Sequence, residues 1–154
     1  MSARTAVYCR EGRLVTVDGL IAEMRQSVFC ETPVRFDPPD GSGSWQVLQA
    51  FYQADKHPVV IRRHVEDAQV RAQIEEAHDR LAATAATHLA PTVLEHLAAA
   101  RQTFELELDE WGATEDAWTM AAALQAELAR SLDGLILANE GIYDAQRKLI
   151  CRAP

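Results

Sequence analysis

The chain is 154 residues long, 48% hydrophobic and 25% charged, with a net charge of −8 at neutral pH. That balance excludes a disordered chain, which combines low hydrophobicity with high charge. Seven Gly and six Pro exclude a collagen-like repeat, no apolar run approaches the ~20 residues of a membrane-spanning helix, and Met1–Val7 lacks the apolar core of a secretory leader. The expectation is one cytoplasmic α+β domain over residues 1–154, large enough to bury a core without metal or disulfide support.

In chain order, Ala6–Cys9 and Leu14–Val17 are β-rich runs around a turn at Gly12, which predicts an N-terminal hairpin. Leu20, Ile21 and Met24 predict a short amphipathic helix between Asp18 and Gln26. Residues 27–36 suit an edge strand, because Pro33 cannot donate to a ladder on both sides. Asp37–Ser44, with two Pro and two Gly, is a loop. Ser44 is placed to cap a helix carrying Trp45, Leu48, Phe51 and Tyr52, and Pro58–Arg62 is apolar enough for a central strand.

From Val65 the chain turns Ala-rich. Val70, Ile74, Ala77 and Leu81 predict a helix to about Ala86, and Pro91 opens a second one through Val93, Leu97, Phe104 and Trp111. Phe104–Leu108 also alternates with period two, so a strand is the competing reading there; the longer helical register favours helix. Thr114 caps a third helix whose predicted buried stripe is Trp118, Ala121, Leu124, Leu128, Leu132 and Leu135. Gly141–Cys151 repeats the layout of the first segment and predicts a closing hairpin, which puts both termini into one sheet. The predicted organisation is therefore a mixed α/β part at 1–63, a three-helix bundle at 64–140 and a returning hairpin at 141–154.

Charge is distributed unevenly. Residues 1–63 carry eight basic and seven acidic side chains, whereas residues 64–154 carry seven and sixteen. Between Arg101 and Arg130 lie Glu105, Glu107, Asp109, Glu110, Glu115, Asp116 and Glu127 with no Lys or Arg. Phosphate-backbone binding needs clustered cations, so nucleic acid is not expected as a partner; a basic protein is favoured. Cys9, Cys30 and Cys151 form no C-x-x-C pair and each sits among apolar neighbours, the setting of reduced thiols that act as small core residues.

Catalytic and metal motifs are sparse. Glu75–His78 is one Glu-x-x-His pair where di-iron bundles use two, and His57, His64, His78, His88 and His96 lack close ligand spacing, so no metal or cofactor is expected. No Gly-x-Ser-x-Gly elbow is present, and Gly41–Ser44 lacks the Lys of a phosphate loop. Arg62, Arg63 and His64 are the one basic cluster and a candidate anion site. Trp111, at an expected helix end beside the densest carboxylates, is the candidate hot-spot aromatic.

Two readings follow. The first is a non-enzymatic, acidic protein-binding protein of the immunity type, which neutralises a basic toxin or enzyme by direct binding. Small, acidic and motif-free is the profile of such inhibitors, a likeness of type that no motif carries. Its expected partner-binding residues are Glu105, Glu107, Asp109, Glu110, Trp111, Glu115 and Asp116, with no catalytic residue. The alternative is a small enzyme or ligand-binding domain with an anion site at Arg62, Arg63 and His64 and Tyr52 as its aromatic wall.

Overall fold

The computed structural model describes residues 2–25, 35–37, 45–51, 57–82, 90–109, 115–138, 141–144, 146 and 148–152. The fold is α+β: among the described residues, eight strands form one antiparallel sheet and four helices pack on it. The strands are β1 (Ser2–Cys9), β2 (Arg35–Asp37), β3 (Val47–Phe51), β4 (Val59–His64), β5 (Gln102–Asp109), β6 (Gly134–Ala138), β7 (Gly141–Tyr143) and β8 (Leu149–Arg152). The helices are α1 (Val17–Arg25), α2 (Asp67–Ala82), α3 (Ala90–Ala98) and α4 (Glu115–Leu132). Sheet order is β2-β3-β4-β5-β1-β6-β7-β8.

The closing hairpin forms as expected: β7 and β8 pair antiparallel, and β6 joins them to β1, so the N- and C-terminal strands share the sheet. β4 lies inside the sheet between β3 and β5, as its apolar run predicts.

Three expectations are corrected. Leu14–Val17 does not return as a strand; residues 10–16 cross the end of the sheet and Thr16 caps α1, accepting at Oγ1 from the Gly19 amide at 3.0 Å. Trp45–Phe51 is not a helix: Leu48 and Ala50 are buried while Val47 and Gln49 point away, a period of two. Residues 102–109 are a strand rather than the end of a helix, with Phe104, Leu106 and Leu108 facing the core. The predicted helical part at 64–140 therefore contains β5 and β6, and its helices do not form a bundle.

Helices cover both faces of the sheet instead. On one face, Val17 and Leu20 of α1 and Met120, Leu124, Leu128 and Leu132 of α4 pack on Val7, Leu48, Ile61, Phe104, Leu106 and Ile136. On the other, Ala77 of α2 with Val93 and Leu97 of α3 packs on Ala6, Tyr8, Leu135, Leu137 and Ile142. The second layer thus lies over β1, β6 and β7. The first is the thicker core, and it includes Trp45, whose ring lies 5.9 Å from that of Phe104 and whose Nε1 donates to the Val15 carbonyl at 2.8 Å.

Candidate functional site

Strand alternation decides which charged residues meet. On β5, Phe104, Leu106 and Leu108 enter the core, so Glu105, Glu107 and Asp109 all project from the opposite face. On β4, Val59 and Ile61 are buried, which sends Val60, Arg62 and His64 to that same second face. β4 and β5 are adjacent, with Arg62 in register with Glu105 and Val60 with Glu107. The acidic row and the basic cluster, treated as separate candidates in the sequence, are therefore one cross-strand array.

Its pairs run diagonally. His64 Nε2 lies 2.6 Å from Glu105 Oε1, Arg62 Nη1 lies 3.6 Å from Glu107 Oε2, and His57 Nε2 lies 3.9 Å from Asp109 Oδ2. Only the first has hydrogen-bond length. The carboxylate side chains are 23%, 27% and 38% exposed in that order, so the row is half-buried rather than freely solvated. Arg4 of β1 stands in register with Glu107 on the far side of β5. Gln49, His57, Pro58, Val60, Glu107 and Asp109 border an open depression of about 530 Å³ at this end of the array.

Arg63 does not join the proposed anion cluster. It faces the core side, where its Nε donates to the Gln102 side-chain oxygen at 2.9 Å and burial lowers its proton affinity. Gln102, fully buried, donates in turn to the Glu11 and Arg13 carbonyls at 2.8 and 2.9 Å, which pins the 10–16 segment. Arg62 and His64 already face carboxylates, so the basic triplet presents no convergent anion site. Neither Gln102 nor its role was legible in the sequence; a glutamine between Arg101 and Thr103 carries no pattern.

Of the other candidates, Glu115 is exposed at the start of α4, and Asp116 follows it in the helix. Glu110, Trp111 and Tyr52 lie outside the described residues. Trp118 corrects the predicted stripe: it is 45% exposed, while Ala117, Met120, Ala121 and Leu124 around it are buried. Cys9 is fully buried in the core as expected, and burial pushes its thiol far up, so it is inert at neutral pH. Among the described residues no group of three or more His, Cys, Asp and Glu is arranged to hold a metal ion, and no helix is long and apolar enough to cross a membrane.

Further carboxylates lie on the α2 side of the molecule. α2, which follows β4 directly and packs on the second face, exposes Glu66 and Asp67 at its entry and Glu75, Glu76 and Asp79 along its length, against Arg71. The β5 row opens on that same face. Comparison with protein-family models, with curated proteins and with solved structures found no match for this chain.

Proposed function

We propose that this chain is a non-enzymatic binding protein that captures a basic protein partner, acting as an immunity-type inhibitor or a carrier of such a partner. The observation that carries the reading is the union of two acidic features on one face: the β5 row Glu105, Glu107 and Asp109, and the exposed carboxylates of α2. A net charge of −8 reinforces it, because like-signed surface charge speeds encounter with an oppositely charged partner. The half-buried cross-strand contacts refine the mechanism. His64 hydrogen-bonds Glu105 and Arg62 faces Glu107 at 3.6 Å, so these two carboxylates lose little side-chain freedom when a partner cation joins them.

The test is affinity capture from the cells that produce the protein, comparing the natural chain with the triple variant Glu105→Gln, Glu107→Gln, Asp109→Asn. Neutral isosteres are the right choice, since Glu105→Lys would remove the hydrogen-bond partner of His64 and set a cation in register with Arg62 on the neighbouring strand. A basic protein retained by the natural chain and lost by a normally folded variant supports the reading. Equal retention by both would remove the row from the interface.

A further inference from the structure

We infer that Trp118 and Glu115 form the anchor for an arginine side chain of that basic partner. The inference rests on the binding reading above and names its contact point. Trp118 is 45% exposed on a helix whose neighbouring apolar residues, Ala117, Met120 and Ala121, are at most 3% exposed. An indole is the largest side chain a sequence can bury, and α4 leaves this one at the surface. Glu115 is exposed three residues earlier, and residues three apart share a helix face. An indole face and a carboxylate side by side make a cation acceptor: the ring quadrupole attracts the charge and the carboxylate supplies the hydrogen-bond partner.

The surroundings point to the same occupant. No Lys or Arg occurs in the sequence between Arg101 and Arg130, so α4 carries no cation of its own from Glu115 to Ala129. Guanidinium fits better than ammonium because its plane stacks on the indole while its edge donates to Glu115.

The test uses the intact protein and the tetrapeptide acetyl-Arg-Arg-Arg-Arg-amide at low ionic strength, followed through the indole N–H resonance of Trp118. A saturable shift of that resonance is expected, with binding about fivefold or more weaker in Trp118→Ala. It should weaken similarly in Glu115→Gln, weaken for the tetralysine peptide, and vanish for the tetracitrulline peptide. An unmoved indole resonance, equal binding by Trp118→Ala, or equal binding of the citrulline peptide overturns the anchor. So does unfolding of Trp118→Ala, which would mean the indole supports the core; Trp118→Phe and Glu115→Gln then measure binding in folded protein. Partner capture that fails for the β5 triple variant but persists in Trp118→Ala defeats the anchor alone. Capture that survives both variants defeats the binding reading itself.

Discussion

At the scale of single residues, the turn between α4 and β6 concentrates most of the local constraint. Asp133 holds a left-handed backbone, with φ at 54°, which aspartate tolerates better than most residues. Its carboxylate takes a two-pronged pair from Arg10 Nε and Nη2 at 2.8 and 2.9 Å, and that contact draws its proton affinity down. Both side chains are roughly half exposed, so the pair contributes at most about 1 kcal/mol. Gly134 matters more. A Cβ there would lie 2.8 Å from the Ala129 Cα and 2.9 Å from Val7 Cγ1, and backbone cannot step aside. Gly134→Ala should cost about 1–3 kcal/mol and lower Tm by several degrees. The control is Gly12→Ala, whose Cβ meets only the Arg101 side chain at 3.4 Å and should leave Tm nearly unchanged. Equal melting of the two variants would show that the close approach at Gly134 relaxes.

His96 gives the same turn a pH dependence. Its Nε2 donates to the Tyr8 carbonyl at 3.0 Å, which docks the end of α3 on β1. Burial lowers its proton affinity and Arg10 adds to that, against the opposing pull of the hydrogen bond to Tyr8. The unfolded chain therefore binds this proton more readily than the folded one. Neutral His96 contributes its stability in full above the ordinary imidazole range of about 6.5, and that contribution is lost as pH falls through this range toward the lower folded value. The Tm gap between the natural chain and His96→Gln should be widest above the ordinary imidazole range and narrow as pH falls below it. A constant gap would mean that His96 does not titrate differently in the two states.

At the scale of elements, β5 shows what was legible in the sequence and what was not. Phe104–Leu108 alternates cleanly, yet the same residues extend a helical register from Val93, and local pattern cannot arbitrate between the two. Pairing decides: β5 is flanked by β1 and β4, and its ladder to β1 runs from Ser2–Asp109 to Cys9–Gln102. β3 was hidden in the same way, because Trp45, Leu48 and Phe51 happen to fall three apart. The closing hairpin and β4 were visible because their signals were local, a turn between β-rich runs and an apolar run after Pro58. The candidate site was visible only as two unconnected charge clusters, since their meeting depends on that pairing. One residue of β5 is out of keeping with its surroundings. Thr103 is fully buried and its Oγ1 has no hydrogen-bond partner, a position where a hydroxyl costs about 1 kcal/mol or more. Thr103→Val keeps the shape and the β-branch, so denaturant unfolding should show equal or greater stability, by up to about 1 kcal/mol. A clear loss would reveal an interaction of this hydroxyl that matters to folding.

At the scale of the whole molecule, the sheet separates two unlike surfaces. The face under α1 and α4 is a continuous apolar core that reaches from Phe36 on β2 to Ile136 on β6. The other face is apolar only beneath α2 and α3, and its remaining part carries the charged β4–β5 array beside the acidic flank of α2. The imbalance between residues 64–154, with sixteen acidic and seven basic side chains, and residues 1–63, which are nearly neutral, places part of the negative field on the α2 side, through the β5 row and the exposed carboxylates of α2, while Glu115 lies on α4 across the sheet. Such a field acts on the approach of a partner more than on the finished complex, because separated charges attract over the Debye length, about 10 Å at 0.1 M salt, while contacts form only at the end. Raising salt from about 0.05 to 0.5 M should therefore slow association with the captured basic partner by roughly tenfold or more and change dissociation far less. Stopped-flow or surface-based kinetics on the natural chain and the Glu105→Gln, Glu107→Gln, Asp109→Asn variant separate the contributions. The variant should retain much of the salt dependence through α2, while its dissociation quickens because the row makes direct contact. An association rate that ignores salt would place recognition in shape and apolar contact around Trp118, and the acidic flank would then serve solubility alone.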